Sequence, residues 1–268
     1  GRARLTAATR ADMGTVNLVV DDERGEFQAG LEQYTRGHAP SFESDDELRN
    51  HHRVWLLTEP GAIARLRALV AAEPRAYVAD GNHRSAAAAM LGYRHYLAVF
   101  FPARTMTISP YNRLIDASAL PAGDLIAALR TDFTAEPQPG GPYQPERTHD
   151  IGLYDGTQWW RLVPRPGSFD PHDAAQDIDA DIVQRRFFSA VLHVEDARDE
   201  RLTFVGANRD ARWLQGEVDA GRAALAVTLP PVTMRQFIDV CMQDKMMPPK
   251  STWFVPKIRC GLVMALLD

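Results

Sequence analysis

Lysine is nearly absent from this 268-residue chain: it occurs only at Lys245, Lys250 and Lys257, and arginine supplies every other cation. Arginine is a planar fork and lysine a compact point charge, so two lysines within one short segment suggest that ammonium groups are wanted there. Cysteine is scarce too. Cys241 and Cys260 each lie in an apolar context and form no Cys-x-x-Cys pair. This excludes a zinc ribbon and a disulfide-dense scaffold, and buried free thiols in a reducing cytoplasm are expected, with a Cys241–Cys260 bridge left open. Positive charge is not in excess. The formal net charge is -5, which argues against a protein that coats nucleic acid. No apolar run approaches the roughly 20 residues of a membrane span. The stretch 261–267 is too short and reads as a buried strand or helix. No secretory hydrophobic region is expected among the residues near Gly1.

What is present is a globular composition, 45% hydrophobic and 24% charged, ample for one large core or two smaller ones. Residues 2–11 read as the middle of a helix without an N-cap, so the intact protein is expected to begin upstream. The β-branched run 16–20 predicts a strand. A polar loop carrying a short helix is expected over 22–50, and a strand over 53–57. Pro60 opens a helix to about residue 72, where proline at the first position is tolerated. Strands follow at 77–79 and 96–101, the latter expected to be central, with a helix over 84–91 between them. Further on, a helix is expected over 124–130 and a Pro/Gly-rich loop over 135–150. Asp155-Gly156 between two apolar runs signals a hairpin in which Trp159 and Trp160 face opposite sides. An acidic loop, 170–181, is expected to end as the N-cap of a helix over 182–192. Strands at 202–205 and 223–229 and helices at 211–218 and 233–243 complete an α+β pattern.

The chemistry concentrates at Asp80-Gly81-Asn82-His83-Arg84, between an apolar run and an alanine-rich helix former. Strand, tight turn and helix start would place a carboxylate, an imidazole and a guanidinium beside free N–H groups and the positive end of a helix dipole. That arrangement suits an anion, with Asp80 free to take a proton or a metal ion. Lys250-Ser251-Thr252 with Lys257 has phosphate-binding residue types but lacks the glycines of a P-loop. Arg113, in Pro110-Tyr111-Asn112-Arg113, can hold a carboxylate or phosphate bidentately, or form a surface ion pair. Asp177, Asp179 and Asp181 alternate like a calcium loop without its glycine and terminal glutamate, so N-capping and helix-dipole compensation explain them better. His51 and His52 have no zinc-spaced partners and read as a surface edge.

Tyr77–Arg84, Pro110–Arg113 and Met247–Lys257, taken in this order, resemble the domain-of-unknown-function family DUF1015. The resemblance covers essentially the whole chain. The Asp-Gly-x-His-Arg piece is also similar to the Asp-Gly-His-His-Arg box of ParB-like and sulfiredoxin-like proteins, among them nucleotide-dependent kinases of free L-serine. The resemblance implies a ParB/sulfiredoxin-like mixed sheet in residues 1–115 and a second α+β half in 116–268. It implies Asp80 as base and His83 and Arg84 as phosphate ligands, so that Asp80 and His83 are the expected catalytic pair, with Asp80 also the expected magnesium ligand from its chemistry. Gly81, Asn82, Arg84, Lys250, Ser251 and Thr252 would face the nucleotide, ATP or ADP, and Arg113 and Lys257 the substrate carboxylate.

Two departures stand out. Asn82 replaces the first histidine of the box, and a His-Glu-x-Thr segment that normally precedes the region of residues 4–10 is absent. The expected function is phosphoryl transfer to a small hydroxylated metabolite, L-serine being the acceptor the resemblance suggests. The alternative is a nucleotide-binding module without turnover. Besides substrate and nucleotide, an upstream fragment or a second copy is a candidate partner; a membrane is not, and nucleic acid is disfavoured by the charge and the lack of a helix-turn-helix pattern.

Overall fold

The computed structural model describes residues 1–47, 49–258 and 261–267, Arg2 by its backbone alone. Cys260 lies outside the described residues; Cys241 is a half-buried free thiol. The chain divides into two compact units, Gly1–Met106 with Pro256–Asp268, and Thr107–Val255. The crossing therefore comes ahead of the expected 115/116 boundary, because the strand Asn112–Ile115 ladders onto strands of the second unit.

The first unit comprises α1 (Arg2–Thr9), β1 (Ala11–Asp12), β2 (Val16–Val20), α2 (Glu26–Gly37), β3 (Phe42–Asp45), β4 (His51–Val54), α3 (Pro60–Ala72), β5 (Tyr77–Asp80), α4 (Asn82–Met90) and β6 (Ala98–Pro102). β2 is buried along its whole length. It lies between β5, antiparallel, and β6, parallel. β6 is thus an edge rather than the expected centre. Its first four residues are half-buried, and the β-branched run of β2 takes the middle, as a strand covered on both faces should.

The polar region 22–50 forms a full helix, α2, which packs on α3, and a two-stranded hairpin, β3–β4. β4 ends at Val54, so the expected strand over 53–57 is shifted toward the hairpin turn, where His51 and His52 contact Asp45 and Asp46. The returning tail adds the short strand Ala265–Leu266 beside β1. This segment is not buried as its apolar sequence suggested: Val263, Met264 and Leu266 are exposed.

The second unit adds β7 (Thr107–Ser109), β8 (Asn112–Ile115), α5 (Leu125–Leu129), β9 (Phe133–Pro137), β10 (Ile151–Tyr154), β11 (Trp159–Pro164), α6 (Asp179–Val183), β12 (Leu202–Val205), α7 (Ala211–Asp219), β13 (Leu225–Thr228), α8 (Met234–Met242) and β14 (Trp253–Val255). Six strands form an antiparallel sheet in the order β12-β8-β13-β10-β11-β9, and β14 pairs with β7. The α+β class expected from the sequence is the observed one. The hairpin signalled by Asp155-Gly156 is present with Tyr154 opposite Trp159. Trp159 is buried, while Trp160 is half-buried and donates to Asp155.

Part of the expected 135–150 loop is strand β9. Phe133 anchors it in the core, and its Pro137 is accommodated at a sheet edge, where a missing N–H breaks no ladder. The helix expected over 182–192 is α6 continued by a π-helical turn, Gln184–Ser189, with the consecutive Phe187 and Phe188 both buried. Among the described residues no helix is long and apolar enough to cross a membrane.

The acidic run before α6 does not cap it. The N-cap is Ile178, without a side-chain bond; Asp179 and Asp181 lie in the first turn, where the helix dipole favours them. Asp177 and Asp179 engage His149, and Asp181 pairs with Arg185. His149 contacts Asp179 through Nδ1 at 3.1 Å and Asp177 through Nε2 at 3.3 Å. The hydrogen bond to Asp179 raises the His149 pKa above its ordinary 6.5. A raised folded-state pKa means the folded chain holds the proton more tightly. The stabilisation is complete below pH 6.5 and lost as pH rises through the higher folded value. His149→Gln should therefore flatten the fall in urea midpoint between pH 6 and pH 8; an unchanged slope would show that this cluster does not titrate with folding.

Candidate functional site

β5 delivers Asp80 to the end of the three-stranded sheet, opposite Asn17 on β2. Gly81 follows with φ 99° and ψ 17°, a conformation that needs glycine, and α4 starts at once. No side chain caps α4; the Arg84 N–H donates to the Gly81 carbonyl at 2.7 Å, and the positive end of the helix dipole lies at this turn. Asn82 and His83 are exposed on this first turn, and the Ser85 hydroxyl donates to the Asn82 carbonyl.

Two cations flank the Asp80 carboxylate. Arg84 Nη2 lies 3.8 Å from Oδ1, and Lys257 Nζ lies 3.4 Å from Oδ2. Asp80, Arg84 and Lys257 bring one negative and two positive groups together, at the mouth of a helix that itself favours an anion. Both the Asp80 and Lys257 side chains are 42% exposed, so a ligand can reach them. The Arg84 side chain lies against two glycines. A Cβ on Gly14 would sit 3.7 Å from Arg84 Cδ, and one on Gly81 would sit 3.1 Å from its Nε and Nη2. Arg84 Nε is buried and has no hydrogen-bond partner among the described residues. Beneath the cluster, Asn17 is 3% exposed and accepts from Thr15 Oγ1 at 2.7 Å.

Sequence reasoning missed Gly14 and Asn17. Asn17 left a signal, a lone amide inside an otherwise β-branched strand; Gly14 left none beyond preceding that strand. Lys257 was grouped by sequence with Lys250 and the second half, and the fold instead returns it to the first unit beside Asp80.

The other expected ligands belong to the second unit. Lys250 occupies a turn in the left-handed region, φ 58°, with its ammonium 5.6 Å from the centre of the Tyr111 ring. Ser251 is buried and donates its hydroxyl proton to the Pro248 carbonyl at 2.7 Å, closing the turn, while Thr252 is half-buried. Arg113, expected at a substrate carboxylate, is instead 2% exposed. Its guanidinium donates to the carbonyls of Tyr111 and Lys250 and lies 4.4 Å from the centre of the Phe204 ring. Burial pushes its pKa down to about 9. Arg113 therefore bonds backbone inside its own unit and does not present an open fork to a ligand.

Among the described residues no group of three or more His, Cys, Asp or Glu side chains is arranged to hold a metal ion. Asp80 offers one carboxylate between two cations.

Fold and site together define an α+β protein with a carboxylate–cation cluster at the uncapped start of a helix. Residues 1–187 match the family described as Protein of unknown function (DUF1015), and the chain belongs to that family. A search of curated proteins gave no match. Among solved structures the chain is similar to a free serine kinase mutant in complex with AMP, at 14% identity and TM-score 0.45, covering 90% of this chain and 83% of that one. It is also similar to a conserved hypothetical protein from Pyrococcus furiosus, at 13% identity and TM-score 0.44, covering 92% and 89%. A C-terminally truncated SbnI from Staphylococcus aureus matches at 13% identity and TM-score 0.41, covering 76% and 79%.

Proposed function

We propose that the protein transfers a phosphoryl group from ATP or ADP to the hydroxyl of a small metabolite, with free L-serine as the first acceptor to test. The observation that carries this reading is the Asp80–Arg84–Lys257 cluster at the uncapped N-terminus of α4. Phosphoryl transfer needs charge neutralisation and in-line placement more than covalent help from the protein. Arg84, Lys257 and the first-turn N–H groups supply positive charge to the phosphates. Asp80 orients the acceptor hydroxyl and takes its proton as the acceptor oxygen bonds to the terminal phosphorus and the bond to the departing nucleotide breaks. His83, exposed on the first turn of α4, donates to a phosphate oxygen in this reading. Magnesium, arriving with the nucleotide, neutralises phosphate charge. The choice of L-serine rests on the likeness of the Asp80–Arg84 box to that of the serine kinases.

Phosphorus NMR of the protein with magnesium, ATP or ADP, and a pool of hydroxylated metabolites including L-serine tests this directly. A new phosphomonoester resonance is the expected result and identifies the acceptor. Asn82, in place of the box's first histidine, favours a second reading: nucleotide binding without turnover. That reading predicts broadened nucleotide resonances and no new peak; unchanged nucleotide lines would remove both.

A further inference from the structure

His149 sits where two stretches of the second unit meet, the connection 138–150 and the approach to α6. Its backbone is left-handed, φ 68°, and a histidine keeps that conformation where its surroundings impose it. Asp179 imposes it here. The Asp179 carboxylate accepts the His149 backbone N–H at 3.1 and 3.2 Å and meets the ring Nδ1 at 3.1 Å. The other ring nitrogen, Nε2, lies 3.3 Å from Asp177 Oδ1. Phe169 packs on the ring, centroids 4.7 Å apart.

The two carboxylates are unlike. Asp179 is 6% exposed, and burial pushes its carboxyl above the ordinary 3.8. Asp177 is half-buried, and its Oδ2 accepts from Gln236 Nε2 of α8 at 3.1 Å. Together with Gln236 and Asp239 it lines a cavity against α8. A charged imidazole has two N–H groups and can donate to both carboxylates. A neutral one has a single N–H, so one nitrogen then turns a lone pair toward a carboxylate. Asp179 is the more deeply buried and also holds the His149 backbone N–H. It keeps the remaining ring proton, and the contact with Asp177 is the one given up.

Neighbouring charges are engaged elsewhere. On the connection itself Asp150 pairs with Arg161, and the Arg147 charge acts on Tyr143. On the approach to α6 and within it, Asp173 pairs with Lys245 and Asp181 with Arg185. On α8, Asp239 pairs with Arg235.

We propose that His149 is a proton-operated latch: charged, it ties the connection 138–150 to the start of α6 through Asp177 and Asp179; neutral, it lets go of Asp177 and loosens the turn 145–149. The loosening stays local, because the Gln144 bonds to Asn112 and to the Leu229 carbonyl do not titrate. On the α8 side the charge of the cavity changes, since the Asp177 carboxylate then stands beside Asp239 without a charged ring on its other oxygen. The His149 pKa is raised above 6.5, chiefly by the bond to Asp179. The latch is therefore closed below pH 6.5 and opens as pH rises through the higher folded value. It asks nothing of the Asp80 cluster and stands apart from the phosphoryl-transfer reading.

Two measurements on the whole chain test it. NMR of the imidazole signals gives the His149 pKa. Hydrogen exchange follows the amide at position 149, expressed as protection relative to an unstructured chain so that the intrinsic pH dependence cancels. A His149 pKa above 6.5 is expected. Across it, protection at position 149 should fall about threefold or more, while Val227, fully buried in β13, stays unchanged. Asp177→Asn retains an oxygen for Gln236 but removes one of the two carboxylates that favour the charged ring. It should lower the His149 pKa and carry the fall in protection to lower pH with it, a shift that a merely structural contact would not produce. His149→Gln should abolish the pH dependence of protection; if that variant does not fold, Asp177→Asn decides alone. A His149 pKa at or below 6.5, protection that is constant across the titration, or a midpoint that stays in place in Asp177→Asn would each overturn the proposal.

Discussion

Asp80→Asn is expected to lower phosphoryl transfer by about 10²- to 10⁴-fold, the range for removing a positioned general base, while nucleotide binding in the absence of magnesium stays the same or tightens. The sign follows from the cluster. Removing the carboxylate that lies between Arg84 and Lys257 takes one negative charge away from the two cations that face the phosphates. Stability should move by less than about 1 kcal/mol, because ion pairs this exposed are worth little. Single-turnover kinetics with the acceptor found by NMR, set beside calorimetric nucleotide titrations with and without magnesium, separate the possibilities. Loss of turnover with retained binding supports Asp80 as the base. Loss of binding only when magnesium is present would assign Asp80 to the magnesium–nucleotide complex instead. Full activity in the variant would sink the mechanism.

Gly81→Ala is expected to be the most damaging glycine substitution near the cluster. Gly81 has φ 99°, beyond the small left-handed region open to L-residues. The new Cβ would meet Val16 Cα at 3.0 Å and Arg84 Nε and Nη2 at 3.1 Å. Val16 is backbone in a fully buried strand and cannot yield, so the guanidinium must move away from Asp80. Backbone strain of this kind costs about 1–3 kcal/mol, and the displaced Arg84 should weaken nucleotide binding as well. Gly92→Ala is the matched control. Gly92 also has positive φ, 71°, but a Cβ there meets nothing within 4 Å. If both variants lose stability but only Gly81→Ala loses nucleotide affinity, the contact with Arg84 is what matters. Equal affinity losses in the two would show that Arg84 placement is irrelevant to binding.

Much of the architecture was legible because its causes are local. The β-branched run of β2, proline at the first position of α3, Asp-Gly between the strands of the β10–β11 hairpin and the capping box at Thr233 and Gln236 each act over a few residues. The Asp80–Arg84 box was legible for the same reason, since strand, turn and helix start follow one another in the chain. Misreadings arose where burial decided. The apolar tail at Val263, Met264 and Leu266 stays exposed, β6 lies at an edge, and Pro137 ends an edge strand within what reads as a loop.

The sequence by itself determined the α+β class, most element positions and the placing of a carboxylate and cations at one helix start, because propensity, periodicity and turn chemistry are short-range. Only the tertiary structure decided that Lys257 meets Asp80 across 177 positions of chain and that Arg113 is enclosed on the carbonyls of Tyr111 and Lys250. It alone also decided that the Asp177–Asp179 carboxylates bind His149 rather than cap a helix. Such contacts depend on strand register and on which faces are covered, and no local pattern of residue types encodes either.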